Sequence, residues 1–341
     1  MKKPMLFSVL VISLSFLLPI ILGSALREPD PVPKLPEAAV SPEAAPSPKP
    51  EDFEPVYDAD MPLAVLANGE IHNISMDEYL LLALAGEMPA SFEPEALKAQ
   101  AVALRTYTLY FLQSRKQNHP DADICDDFAC CAAAESMDSL REKWGENFEA
   151  CYEKLRRAIR ETDGQHLRYG GETALTVFHS SSEGRTEQSG SIWADLPYLQ
   201  SVPSPETEQS VSSLRSVVEV SAEDFRQTVL AVCPEAVFGE DPSAWVGERE
   251  ETGGGRVAAI TLGGQSVSGM AVRSMFSLRS ADFKLGYIDG AFIFEVSGYG
   301  HGVGMSQYGA NTFAAEGMSY DEILSHYYPG CELVMSVVAR Q

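Results

Sequence analysis

The stretch SMDEYLLLALAGEMPASFEPEALKAQAVALRTYTLYFLQSRKQ, residues 75–117, constrains the fold most, because it dictates two apolar helices with a forced break between them. Ser75 followed by Glu78 has the form of a capping box. Leu80, Leu81, Leu82, Leu84 and Ala85 leave the first helix so little polar surface that it must be buried. Pro89 drives Met88 out of the helical region and ends that helix. Pro94 suits the first position of a second helix, with Glu95 in the first turn where the dipole favours a carboxylate. Lys98, Ala101, Arg105 and Thr108 then fall on one face. The elbow leaves Glu87 among Leu84, Ala85 and Met88, where lost solvation raises its pKa and makes it a candidate general acid. The plain alternative is a helix-end carboxylate paired with Lys98 or Arg105.

The N-terminal region reads differently. Behind Lys2 and Lys3, Met5–Gly23 holds 19 residues without a charge, close to the roughly 20 that cross a bilayer as a helix. The lysines place residues 1–4 in the cytoplasm and all that follows 5–23 outside it. A cleaved signal peptide is the alternative, given the small residues Gly23, Ser24 and Ala25, but the apolar stretch exceeds the roughly 7–15 residues usual there. Residues 24–55 form a tether, with nine of the 21 prolines between 26 and 55, able to reach roughly 90 Å at about 3.1 Å per residue. The folded domain is expected over 56–335, with a smaller α/β region at 217–290.

A formal net charge of −24 excludes nucleic acid and anionic membrane surfaces as partners, since both would repel the chain. The polar loop NHPDADICDDFACC, 118–131, sets His119, Cys125 and Cys131 at six-residue intervals. These side chains suit zinc, and the same cysteines suit a disulfide outside the cytoplasm; the spacing leaves both open. The segment 175–205 joins a short strand to a turn carrying His179, Ser181, Ser182 and Arg185, followed by Trp193 and Tyr198. Hydroxyls, a guanidinium and aromatic faces suit a carbohydrate, against the plainer reading of a polar turn with core aromatics. A serine hydrolase would need a GxSxG elbow, which neither Ser180–Ser182 nor GMSQYG supplies.

SGYGHGVGMSQYGANTFAAEG, residues 297–317, carries six glycines with His301, Ser306, Gln307 and Tyr308. Without a lysine it is no phosphate loop. It suits hydrogen bonding to a neutral polymer, or simply tight packing.

In order along the chain, AGEMPASFEPEALKAQAVALRTY, the cysteine loop, the 175–205 segment and GYGHGVGMSQYGANTFAAEGMSYDEILSHYYPG resemble the stage II sporulation protein D family of peptidoglycan lytic transglycosylases, over roughly residues 60–332. The resemblance implies an α+β domain of mixed helices and antiparallel strands around a glycan-binding cleft, membrane-anchored and extracytoplasmic. Glu87 matches the catalytic acid. Lys98 and Arg105, with Tyr198, match cleft positions, and His179, Ser181, Ser182, Arg185, His301, Ser306, Gln307 and Tyr308 would line the cleft. His119, Cys125 and Cys131 match a zinc-binding pattern, which favours zinc in a structural or site-shaping role. The implied substrate is glycan stripped of stem peptides, whose lactyl carboxylate Lys98, Arg105 or Arg185 would pair. The implied setting is engulfment during endospore formation, with an amidase and a membrane scaffold protein as partners; a non-catalytic amidase enhancer is the competing reading. Two positions depart from the pattern: Glu183, where a glycine is expected, and Cys130, an extra thiol beside Cys131.

Overall fold

The computed structural model describes residues 53–114, 119–127 and 130–339. The expected membrane segment at 5–23 and the tether up to residue 52 lie outside the described residues, among which no helix is long and apolar enough to cross a membrane. Strand β1 (Phe53–Pro55), assigned to the tether from its proline, instead pairs antiparallel with the last strand, β16 (Val337–Ala339). The paired chain therefore begins three residues before Val56, and its two ends are clasped together.

Strands β2 (Pro62–Ala67) and β3 (Glu70–Ser75) form a hairpin across Asn68 and Gly69, both at positive φ, as an Asn-Gly turn requires. Helix α1 (Met76–Glu87) follows, with the Ser75 and Glu78 capping box formed. It buries Met76, Tyr79, Leu80, Leu81, Ala83, Leu84 and Ala85, so it is enclosed by the core. Met88 turns to φ −127°, ψ 140° ahead of Pro89, which makes Glu87 the last helical residue. Helix α2 (Pro94–Ser114) starts at the expected proline.

Strand β4 (Ile124–Cys125) adds to β2 in parallel. Helices α3 (Met137–Trp144) and α4 (Phe148–Glu161) lead to strands β5 (Gln165–Tyr169), β6 (Glu172–Thr173) and β7 (Phe178–His179). The main core gathers α1, α2, α4 and β5 around Leu84, Leu97, Val102, Leu104, Leu155 and Leu167. Full burial of a side chain such as Leu104 stabilises by roughly 1.5–3 kcal/mol.

A second apolar cluster lies in residues 215–297. It is built from β8 (Arg215–Ser221), α5 (Ala222–Val232), β9 (Val246–Glu251), β10 (Val257–Leu262), β11 (Gln265–Ser268), α6 (Gly269–Met275), β12 (Phe283–Ile288) and β13 (Ala291–Ser297). Two antiparallel sheets, ordered β11-β10-β9 and β12-β13-β8, enclose Phe225, Phe276, Phe292 and Phe294. Phe225 stacks on Phe292 at 3.9 Å.

After β13 the glycine-rich loop runs through Tyr299–Gly304 into β14 (Met305–Ser306), helix α7 (Gln307–Ala315), helix α8 (Tyr320–Tyr327) and β15 (Glu332–Met335). The loop is braided into its surroundings by single bridges, Ser181 with Tyr299, Glu187 with Val303 and Ser280 with Gly300. The domain is α+β as the sequence suggests. Its sheets are antiparallel except for two short parallel pairings, β2 with β4 and β7 with β14.

Candidate active site

Glu87 sits where the end of α1, the cysteine loop and the start of α7 meet. Gly86 makes the approach of the cysteine loop feasible, because a Cβ there would stand 2.8 Å from the Ala133 carbonyl oxygen. With the loop drawn in, the Ala133 N–H donates to Glu87 Oε1 at 3.0 Å. From the other side, Gln307, the first residue of α7, donates its Nε2–H to Glu87 Oε2 at 3.0 Å. Burial raises the Glu87 pKa above the ordinary carboxylate range, while the bonds from Gln307 and Ala133 pull it back. The C-terminal end of α1 also offers a carboxylate no favourable dipole. The sum is a carboxyl group held by two neutral amides, with its pKa raised from the ordinary value.

The cysteine loop carries a compact donor set. The ligand atoms of His119, Cys125, Cys130 and Cys131 all lie within 4.8 Å of one another. His119 Nε2 is 3.4 Å from Cys131 Sγ, which is 3.9 Å from Cys130 Sγ. The Nδ1–H of His119 donates to the Ala122 carbonyl at 3.0 Å, leaving Nε2 as the available nitrogen. Among the described residues no disulfide joins Cys125, Cys130, Cys131 or Cys151. Burial pushes the Cys125 thiol up to about 12.

Several residues expected in the cleft are elsewhere. Arg105 is 1% exposed and forms a bidentate pair with Asp58, with Nε 2.8 Å from Oδ1 and Nη2 2.5 Å from Oδ2. Its Nη1 also donates to the Gln165 carbonyl, so it is a core ion pair and not a ligand for an external carboxylate. Lys98 is held between Glu95 at 2.8 Å and Glu161 at 2.6 Å, on the side of α2 that faces α4. Tyr198 is a core residue: its hydroxyl accepts from the Leu175 N–H at 2.9 Å and its ring lies against Tyr169. Arg185 is exposed and donates to the Ser201 carbonyl and hydroxyl, which keeps its guanidinium at the surface. Glu183 pairs with Arg215 in a charged cavity shared with Asp282, Lys284 and Glu295, whose lining includes neither Glu87 nor Gln307.

His179, Ser181 and Ser182 lie beneath the glycine-rich loop, all buried. Ser181 bridges Tyr299 through the backbone. Arg256 Nη2 donates to Ser182 Oγ at 2.9 Å, which leaves the serine hydrogen for His179 Nε2 at 2.6 Å and gives His179 an Nδ1–H that donates to the Val303 carbonyl. The His179 pKa falls far below the usual imidazole range, first through burial and then through the nearby His301 and Arg256. Buried and bonded to Ser182 and Val303, His179 supports the loop from beneath. His301 is brought down to about 4 by burial and its cationic neighbours, and Trp193, half-exposed, stands edge-on to it at 4.9 Å. Ser306 caps α7 by accepting from the Gly309 N–H. Tyr308 rests edge-on against Phe92. Of the expected cleft residues, Gln307 is the one shown hydrogen-bonded to Glu87 among the described residues.

Sequence reasoning passed over Arg256, Glu187 and Glu206, each at most 3% exposed. Arg256 fits flat beneath Gly302, where a Cβ would come 2.2 Å from the guanidinium carbon. Glu206 stands one residue beyond the hydroxyl-rich segment and has no periodic neighbour to mark it.

The fold and this enclosed carboxylate define an α+β domain with a buried acid held between the end of α1 and the start of α7. Residues 67–169 match the stage II sporulation protein family model. The chain is 34% identical over 276 residues to stage II sporulation protein D of Bacillus subtilis, spanning 80% of this chain and 78% of that protein. The Bacillus amyloliquefaciens counterpart is 34% identical over 275 residues, with the same shares. An amidase enhancer of Bacillus subtilis is 26% identical over 298 residues, 73% of this chain and 39% of that protein. The chain belongs to the stage II sporulation protein D family.

Proposed function

We propose that the protein is a peptidoglycan lytic transglycosylase that cleaves the N-acetylmuramic acid–N-acetylglucosamine bond of stem-peptide-free strands. The observation that carries this reading is the Glu87 carboxyl group, raised in pKa by burial and held on both oxygens by amides. Protonated Glu87 gives its proton to the glycosidic oxygen as the C1–O bond breaks. The resulting carboxylate then takes the proton of the muramoyl C6 hydroxyl as that oxygen closes on C1. One carboxylate serves both transfers, whereas hydrolysis uses two. The product is a 1,6-anhydro sugar, and no water is consumed.

The His119, Cys125, Cys130 and Cys131 donors fit zinc. Bonds of roughly 2.0–2.3 Å at tetrahedral angles put nitrogen and sulfur ligands about 3.5 Å apart and two sulfurs about 3.8 Å apart, close to the 3.4 and 3.9 Å spacings. Four protein donors make a closed site, which suits a structural ion that cross-links the loop whose Ala133 N–H holds Glu87. Stripping zinc with a chelator is expected to cost on the order of 3 kcal/mol, or about 6–12 °C in Tm at roughly 2–4 °C per kcal/mol. Differential scanning calorimetry with and without zinc restored checks this.

The reading extends to an extracytoplasmic, membrane-anchored protein working with an amidase and a membrane scaffold protein. Similarity to an amidase enhancer supports a second reading, a module that holds glycan for a partner amidase without cutting it. The test is mass spectrometry of stem-peptide-free strands after incubation with the protein. Products ending in 1,6-anhydro-muramic acid support the transglycosylase; intact strands that co-sediment with the protein support the enhancer. Hydrolysed reducing ends would overturn both.

A further inference from the structure

We infer that Glu206 is a positioning residue for Glu87, acting through Ser306 and Gln307. Glu206 is 2% exposed and lies in an irregular segment between β7 and β8. Its Oε1 accepts from the Ser306 hydroxyl at 2.5 Å and from the Ser182 N–H at 2.5 Å. Among the described residues its buried Oε2 has no hydrogen-bond partner, and it packs against α7, where a Cβ on Gly309 would stand 2.7 Å from it. A buried carboxylate with an unsatisfied oxygen is costly, so this arrangement calls for a role that an amide would not fill.

The role follows from the single hydrogen of Ser306. That hydroxyl has two acceptors within reach, the Ser180 carbonyl at 3.4 Å and Glu206 at 2.5 Å. The closer Glu206 Oε1 takes the hydrogen, and the Ser306 oxygen then presents a lone pair to the Gly309 N–H at 3.1 Å, the N-cap of α7. Negative charge at the helix N-terminus is also favoured by the dipole. The residue after the cap is Gln307, whose Nε2 meets Glu87 Oε2 at 3.0 Å. Glu206 therefore fixes the start of the helix that delivers the amide to the acid. A glutamine at 206 offers Ser306 a weaker acceptor or a competing donor, and the first turn of α7 loosens. The Gln307 bond, which draws the Glu87 pKa down, is lost in proportion.

This role rests on Glu87 as the proton donor, and the experiment separates the two ideas. In the full-length chain with 13C-carboxyl glutamate, the Glu87 resonance, assigned by its loss in Glu87→Gln, is titrated in wild type, Glu206→Gln, Gln307→Ala and the double variant. The Glu87 midpoint is expected to move upward in Glu206→Gln and in Gln307→Ala, with no further movement in the double variant. On denuded strands, Glu206→Gln lowers kcat about tenfold with KM within about twofold, its alkaline limb moves to higher pH, and the double variant is no slower than Gln307→Ala. A merely structural role would lower Tm and leave the Glu87 midpoint in place. An unmoved midpoint in folded Glu206→Gln, or effects of the two substitutions that simply add, overturns the inference. A moved midpoint in a protein whose wild type cuts no strand keeps the coupling and removes the transglycosylase reading. Should Glu206→Gln fail to fold, Ser306→Ala breaks the same link from the other end and must move the midpoint the same way.

Discussion

Glu87→Gln is expected to slow strand cleavage by about 10³–10⁴-fold, the upper range for removal of a general acid–base group, because one carboxyl group performs both proton transfers. Binding of denuded strands should stay within about twofold, since glutamine keeps the shape and Gln307 can turn its amide to offer oxygen in place of N–H. Product formation by mass spectrometry and strand co-sedimentation measure the two quantities on the same preparations. A variant that cuts at the wild-type rate would remove Glu87 from the mechanism. The same substitution has a pH signature in stability. The folded-state pKa of Glu87 is raised above the ordinary 4.5, so its contribution is fully present below the unfolded value and is lost as pH rises through the folded one. The stability of Glu87→Gln relative to wild type should therefore increase across that window. Urea melts at pH 4 and pH 8 read the difference.

The second large effect concerns Arg105 and Asp58. Arg105→Ala would leave the Asp58 carboxylate buried without its guanidinium partner, a loss of about 3–5 kcal/mol, or roughly 6–20 °C in Tm at about 2–4 °C per kcal/mol. Thermal unfolding measures it directly. The double replacement Asp58→Asn with Arg105→Met should recover much of the loss, because no charge is then stranded. If Arg105→Ala melts like wild type yet binds denuded strands poorly, Arg105 is a glycan ligand after all.

These two residues also show how far the sequence reaches. Ser75, Glu78 and Pro89 act on residues within a few positions, so both ends of α1 are legible in the sequence. The environment of Glu87 was legible for the same reason, since Leu84, Ala85 and Met88 are its immediate neighbours. Spacing correctly put Lys98 and Arg105 on α2. It could not say what each meets there, because Asp58 is 47 residues from Arg105 and Glu161 is 63 from Lys98. Periodicity describes a helix face; the partner of that face is a tertiary fact. Tyr198 failed in the same way, its aromatic character serving the core and not a surface platform. Cys130 illustrates the converse: the sequence marks it as an extra thiol beside Cys131, and its sulfur joins the same donor cluster. The cluster of Glu206, Arg256 and Glu187 was invisible because each lies in a loop or at a strand start, with partners 24 to 100 residues away.

The flat seat of Arg256 beneath Gly302 bears on how this fold can be re-engineered. Arg256 immediately precedes β10 of the Phe-rich cluster, yet its guanidinium occupies the very volume that a side chain at 302 would need. The glycine and the arginine are thus two halves of one joint, contributed by regions that a designer would take to be separable modules. A chimaera that exchanges 215–297 between relatives must import a residue able to lie flat under that glycine. One that grafts the glycine loop alone inherits a gap where a cation belongs.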